Sequence, residues 1–468
     1  MFFRSFFDEN LAHMSYLVGC QQSGEAIVID PARNLQAYFR TAKMEGLKII
    51  AAAETHIHAD FLSGAKELAK QCGAVLYLSD EGDKDWKYQY LDEVPHVLVR
   101  DGSAFSIGHV EFQVLHTPGH TPESISFLLT DKGGGSQEAM GIFTGDFVFV
   151  GDIGRPDLLE KAAGVAGNAE IGARQMFQSL KKFKELPDFL QVWPAHGAGS
   201  ACGKALGAVP VSTVGYEKRN NWALRMGNEE EFVNTLLSGQ PEPPKYFAMM
   251  KTLNKIGPAY VSDSPLNKLV NPADLAAFNE EAVFLDTRPA REFAAKHYEG
   301  SINIPFNKSF TNWAGWLIPY DRDIVLIANQ KEVQEIGTAL ASIGLDRIMA
   351  FIEPETALSH EDCVEMFGEV DVQELPEYLR EGNHELLDVR NQAEWDGGRI
   401  ESAKHYMLGT LLDRLGELDP AKTYILQCRS GARSAIAASL LQANGFKNVL
   451  NLKGGILAWK KEKFPVLR

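Results

Sequence analysis

The chain has 468 residues, which at roughly 100–200 residues per domain implies several domains. Its 45% hydrophobic and 23% charged residues are those of a globular protein and exclude a largely disordered or fibrous one. The net charge of −16, with no basic stretch to interrupt it, speaks against binding a nucleic-acid phosphate backbone. No apolar run approaches the ~18 residues of a membrane helix, so no membrane association is expected. The start, MFFRSFFDEN, breaks its apolar patch with Arg4, Asp8 and Glu9 and lacks the pattern of a secretory signal. The five cysteines, Cys20, Cys72, Cys202, Cys363 and Cys428, are scattered and odd in number. They form no disulfide framework and fit a reducing, cytoplasmic setting in which single thiols do chemistry.

In chain order, β-branched runs predict strands at 25–30, 47–55, 74–79, 110–117, 125–130, 141–146 and 190–194. FLSGAKELAKQCG and NAEIGARQMFQSLKKF predict helices between them, and DKGGGSQ a hairpin turn. The proline-dotted stretch 239–265 reads as a linker. Beyond it the chain repeats itself: VFLDTRPAREF at 283–293 matches ELLDVRNQAEW at 385–395. The run that begins at Asp323 matches the one that begins at Thr423, which places Ala328 opposite Cys428. Each copy has the rhythm of a small α/β domain.

Ligand-type residues cluster after the predicted strands of the first block, where α/β folds gather functional groups. They stand in T-H-I-H-A-D-F (His56, His58, Asp60), H-T-P-G-H-T (His116, His120), T-G-D (Asp146) and P-A-H-G (His196). Over roughly residues 1–235 these segments resemble the metallo-β-lactamase superfamily, a four-layer αββα sandwich with metal ligands on loops at one edge. The family motif H-x-H-x-D-H is matched except that Phe61 stands in place of the last histidine, a ligand of a second metal. A single metal is therefore expected. Two histidines and one carboxylate with open positions suit non-haem Fe(II) and O2 chemistry. Together with G-D-I-G-R-P-D, the motifs resemble the persulfide dioxygenase branch.

That resemblance implies one Fe(II) per chain held by His56, His116 and Asp146, with His58, Asp60 and His196 around it, and His120 as a loop hydrogen-bonder. It implies a persulfide substrate carried by glutathione, coenzyme A, cysteine or bacillithiol, oxidised by O2 to sulfite and free thiol. Arg155 or Arg219 would bind the anionic carrier. Cys202, on a Gly-rich loop six residues past His196, is a candidate thiol or a plain loop residue. That loop fails as a phosphate loop, with Ala198 and Ala205 at positions the motif reserves.

In the last block, C-R-S-G-A-R-S follows a predicted strand and opens a helix. Backbone N–H groups there, with Arg429 and Arg433, favour a thiolate or persulfide at Cys428. Over about 266–468 both copies resemble the rhodanese family. The four residues between Cys428 and Arg433 are one fewer than in cysteine phosphatases of related fold. By resemblance Cys428 transfers sulfur, Asp388 and Arg390 are structural, and the first copy, with A-N-Q-K-E-V in its loop, is silent.

The expected fold is thus an α/β multidomain chain: a metallo-β-lactamase αββα sandwich (1–238), a linker (239–265) and two rhodanese-like domains (266–355, and 368–468 with Cys428). The two chemistries share sulfite, which a persulfide at Cys428 converts to thiosulfate, or the rhodanese runs backwards and makes the persulfide that the iron site oxidises; a bifunctional role in sulfide and persulfide detoxification is expected, in a self-associating protein. The alternatives are a zinc-dependent thioester hydrolase of glyoxalase II type with an attached sulfurtransferase, and a non-catalytic sulfur relay.

Overall fold

A computed structural model describes residues 1–158, 160, 167–198, 200, 202–204, 206–261, 266–278 and 282–467. The chain divides into two compact units, Met1–Ser262 with Ala341–Gly344, and Asp263–Leu340 with Leu345–Arg468.

In the first unit, strands Phe2–Asp8, His13–Cys20, Glu25–Ile29, Lys48–Ala53, Val75–Ser79 and His96–Val99 lie side by side in chain order. A second sheet has the spatial order Ser212–Thr213, Gln191–Pro194, Gly141–Gly145, Ile125–Asp131, Val110–His116, Ala104–Ile107. Three apolar layers hold the unit together. Val18, Ile27, Ala53, Phe112, Phe127 and Trp193 pack between the sheets. Leu17, Val28, Ala52, Leu68 and Leu76 pack the first sheet on helices Gln36–Met44 and Ala65–Cys72. Ile142, Val192, Met176, Leu180 and Phe232 pack the second sheet on helices Asn168–Glu185 and Glu229–Leu237. Three apolar layers among four layers of elements make an αββα sandwich. The strand His13–Cys20 is buried along its whole length because both of its faces are covered.

The stretch expected to be a bare linker carries the helix Tyr246–Ile256, which buries Tyr246, Phe247, Met250 and Asn254. Apolar residues at helical spacing outweigh the prolines that flank them. The end of that stretch, 262–265, lies outside the described residues.

The second unit contains two five-stranded parallel sheets of identical layout. One runs Asn267–Leu269, Ile348–Ile352, Ile324–Ile327, Val283–Asp286, Ile302–Asn303 in space. The other runs Gly368–Val370, Val449–Leu452, Thr423–Gln427, His384–Asp388, Ala403–His405. Each repeats one buried ion pair two residues apart: Arg288 Nη2 to Asp286 Oδ2 at 2.6 Å, and Arg390 Nη2 to Asp388 Oδ2 at 2.5 Å. The helix Ala432–Ala443 buries every residue from Ser434 to Gln442, and its Ser439 Oγ accepts the Asn303 N–H of the first repeat at 2.9 Å. A helix of small and apolar residues all round suits burial on every side.

Among the described residues no helix is long and apolar enough to cross a membrane.

Candidate metal centre and thiol loop

The loops that follow Glu25–Ile29, Lys48–Ala53, Gly141–Gly145 and Gln191–Pro194 meet at one edge of the sandwich. Glycines make the approach possible. A Cβ on Gly145, whose φ is +53°, would lie 2.4 Å from Thr55 Oγ1, and one on Gly154 would lie 1.8 Å from the Asp146 carbonyl. Asp30 adopts the left-handed region at φ 48° and accepts both the Thr55 N–H (2.7 Å) and the Thr55 hydroxyl (2.9 Å).

Because the Thr55 hydroxyl proton goes to Asp30, the 3.0 Å contact between Thr55 Oγ1 and His56 Nδ1 has the imidazole as donor. This leaves His56 Nε2 bare, buried and without a hydrogen-bond partner. His120 is set the same way, its Nδ1–H donating to the Arg155 carbonyl at 3.0 Å and its Nε2 standing 3.5 Å from Asp146 Oδ2. Asp146 is 2% exposed, and neither of its oxygens makes a hydrogen bond of normal geometry. Burial opposes its ionisation, but His196 and His120 outweigh that and hold the carboxyl well below the usual range. One donor atom from each of His56, His120 and Asp146 falls within 4.8 Å of the others. Two bare imidazole nitrogens and a carboxylate fit a transition-metal ion, and a cation would offset the cost of the buried anion.

His120 therefore takes the place expected of His116. The strand Val110–His116 ends at that residue. The His116 ring turns out beside Glu81, with Nδ1 at 4.0 Å from its carboxylate and Nε2 bound to the Pro122 carbonyl at 2.9 Å. The chain then turns at Gly119, φ 149°, packed on Met176, and delivers the next residue inward.

Asp60, His196 and Cys202 form a second buried group beside the first. His196 donates from Nδ1 to the Ala12 carbonyl at 3.1 Å. Its Nε2 lies 3.2 Å from Asp60 and 3.3 Å from Asp146. Burial would lower its pKa, but Asp146 and Asp60 hold it well above the usual range. Burial, then Asp146 and Asp60, pushes the Cys202 thiol up to about 12. Phe61, 1% exposed, fills the position of the missing histidine and stacks on His13 with ring centroids 3.7 Å apart. His58 turns the other way, its Nε2 held 3.1 Å from Asp30 and 3.0 Å from Glu54.

The two expected anion-binding arginines sit elsewhere. Arg155 is fully buried, with Nε and Nη2 paired to the two oxygens of Asp157 at 2.7 and 2.6 Å, and it serves the centre through its carbonyl. Arg219 is 80% exposed and lies 4.0 Å from Asp188 on the surface helix Val214–Asn220. Sequence reasoning passed over Asn254. Its Nδ2 donates to the carbonyls of His58 and Phe61, both at 2.8 Å, and its Oδ1 accepts the Ser63 N–H at 2.9 Å, which ties down the metal-motif loop. A polar residue on the face shared with Tyr246, Phe247 and Met250 was the available signal.

In the second unit Cys428 is 1% exposed, and its Sγ accepts the Gly431 N–H at 3.1 Å and the Ser434 hydroxyl at 3.4 Å. Gly431 has φ 98°, which folds the loop over the sulfur. Arg433 is bidentate on Glu394 at 2.6 and 2.8 Å, while Arg429 is exposed. Two donors thus converge on the sulfur, as suits a group that accepts hydrogen bonds. In the first repeat buried Ala328 stands in that place, and Asn329 Nδ2 donates to Glu332 at 2.9 Å.

Residues 9–196 match the metallo-beta-lactamase superfamily, and residues 371–462 match the rhodanese-like domain. A crystal structure of a metallo-beta-lactamase from Staphylococcus aureus subsp. aureus COL is 46% identical, covers 76% of this chain and 99% of its own, and superposes with a TM-score of 0.68. The mitochondrial persulfide dioxygenase ETHE1 of Bos taurus is 28% identical over 232 residues, 48% of this chain and 77% of that protein. A hydroxyacylglutathione hydrolase of Francisella tularensis subsp. novicida (strain U112) is 30% identical over 194 residues, 41% of this chain and 66% of that protein.

Proposed function

Because the chain belongs to the metallo-beta-lactamase superfamily and carries a rhodanese-like domain at its C-terminal end, we propose that it is a bifunctional sulfur-oxidising enzyme. The first reaction is R–S–SH + O2 + H2O → R–SH + sulfite + 2H+, and His56, His120 and Asp146 would hold the single iron(II) it needs. Iron(II) in that donor set would supply the redox chemistry that oxidation by O2 requires. The observation that carries the reading is this two-histidine, one-carboxylate group with Phe61 in place of a further ligand.

The surrounding side chains have roles that follow from their contacts. Thr55, through Asp30, and the Arg155 carbonyl fix the tautomers of His56 and His120 so that each presents a bare nitrogen. His196, positioned by the Ala12 carbonyl, would hold a proton at Nε2, 3.3 Å from Asp146. Cys202 stays a neutral thiol facing the same space. Phe61 and His13 keep water from the flank of the site.

In the second reaction, the Cys428 thiolate attacks the outer sulfur of a persulfide anion, the S–S bond breaks, and R–S− leaves. Sulfite then attacks the sulfur on Cys428, the new S–S bond breaks, and thiosulfate leaves with the thiolate restored. The Gly431 N–H and the Ser434 hydroxyl stabilise the anionic sulfur throughout.

Iron(II)-loaded protein should consume O2 when glutathione persulfide or coenzyme A persulfide is added, with sulfite and thiosulfate appearing. Cys428→Ala should leave O2 uptake in place and release sulfite alone. No uptake from protein shown to hold one iron overturns the dioxygenase reading. The reading as a zinc-dependent thioester hydrolase has one observation behind it, the second buried group of Asp60, His196 and Cys202 beside the first. Two zinc ions per chain together with thioester hydrolysis would favour it.

A further inference from the structure

In the second unit, a cavity of about 850 Å³ opens over the strand ends of the silent repeat. Its volume suits a small-molecule ligand. Thr287 and Pro289, after the strand Val283–Asp286, line it with Asn329 and Glu332 from the loop in which Ala328 stands opposite Cys428. Phe306 and Trp313, both half-buried, supply an aromatic wall. The last wall comes from the catalytic repeat: Ala432, Arg433 and Ile436, on the helix whose entry loop holds the Cys428 sulfur. Ala432 follows Cys428 by four residues, so their Cα atoms are at most roughly 14 Å apart.

The charged lining is two arginines, Arg288 and Arg433, and two glutamates, Glu292 and Glu332. Both cations in it are already bound, Arg288 by Asp286 and Arg433 by Glu394. What remains for a ligand is the Glu292 carboxylate, the Glu332 carboxylate that accepts only an amide, and the polar side chains of Asn307, Asn312 and Ser309. Acidic and amide groups around an aromatic wall favour a primary ammonium and peptide bonds, and they disfavour phosphate.

We propose that the silent repeat is the carrier-binding domain of the sulfurtransferase: its cavity takes an amino-bearing, peptide-like low-molecular-weight thiol or persulfide and presents it to Cys428. This rests on the sulfur-transfer reading of Cys428 given above. It also explains why a repeat without a nucleophile keeps an open loop cluster. The transfer is the exchange already written, with the persulfide S–S bond broken and the carrier thiol released into the cavity.

The test is equilibrium binding of glutathione, by calorimetry, to the full-length Cys428→Ala chain, which cannot capture sulfur covalently. The result expected is saturable binding that weakens about tenfold in Glu292→Lys and in Trp313→Ala but persists in Trp313→Phe. Circular dichroism of each variant checks the fold, and the exposed position of Glu292 keeps that variant informative if Trp313→Ala unfolds. Binding that is absent, that is equal in parent and Glu292→Lys, or that coenzyme A displaces at equal concentration overturns the proposal. Failure of the underlying reading looks different: the unsubstituted chain then gives no thiosulfate from glutathione persulfide and sulfite, whatever the binding isotherms show.

Discussion

At the scale of single residues, the centre depends on which nitrogen each histidine keeps bare. His120 has Nδ1 committed to the Arg155 carbonyl and Nε2 turned toward Asp146, whereas His116 spends Nε2 on Pro122 at the strand end. His120→Ala should therefore abolish metal binding, read as iron per chain, and O2 uptake with it. His116→Ala should keep the metal and lose roughly 1 kcal/mol of stability with its hydrogen bond. The reverse pattern would return His116 to the centre. Cys202 makes a second residue-scale prediction. With its thiol pushed up to about 12, the thiolate fraction in metal-free protein is ~0.1% at pH 9 and rises about tenfold per pH unit below that midpoint. Iodoacetamide should leave Cys202 unlabelled at pH 8 by mass spectrometry, and rapid labelling there would show the thiol to be ionised.

At the scale of elements, the site is a meeting of loops that only small residues permit. A methyl on Gly154 collides with the Asp146 carbonyl and approaches His120, so Gly154→Ala should cost about 1–3 kcal/mol and reduce bound metal. The helix Tyr246–Ile256 acts on the same loops through one side chain. Asn254→Ala strands two buried carbonyls and one N–H, and it should destabilise the unit by roughly 3 kcal/mol, with weaker metal retention on dialysis. An unchanged melting temperature would mean that the loop is held by other contacts. That helix was hidden in the sequence because its flanking prolines suggested a connection, while its burial comes from partners far away in the chain.

At the scale of the whole molecule, the second unit is two copies of one sheet with a shared helix. Helix Ala432–Ala443 carries the Cys428 loop at its start and gives Ser439 to the Asn303 N–H of the copy with Ala328. Trp316 of the silent copy also lies where a Cβ on Gly409 of the other would stand, at 2.4 Å. The repeat with Ala328 thus packs against the repeat with Cys428 as well as forming a cavity wall. Ser439→Ala should leave a buried N–H unpaired, cost about 1–3 kcal/mol, and lower both the melting temperature and the Cys428-dependent transfer rate. An unaltered rate at unaltered stability would make that contact incidental.

Much of this is legible in the amino-acid sequence. Strands such as Glu25–Ile29 and Ile125–Asp131 announce themselves by β-branched runs, and the Asp-x-Arg pairs and Ala328 opposite Cys428 follow from self-comparison, because local chemistry and repetition are properties of the chain itself. The donor types at the centre were also written in the motifs. The choice between two histidines four residues apart, the withdrawal of Arg155 into an ion pair, the turning of His58 toward Asp30 and Glu54, and the reach of Asn254 were not. Each depends on which partner a side chain meets across a distance in sequence. A motif states what a residue can bind, but only the packed loops decide which atom faces the metal and which is already taken.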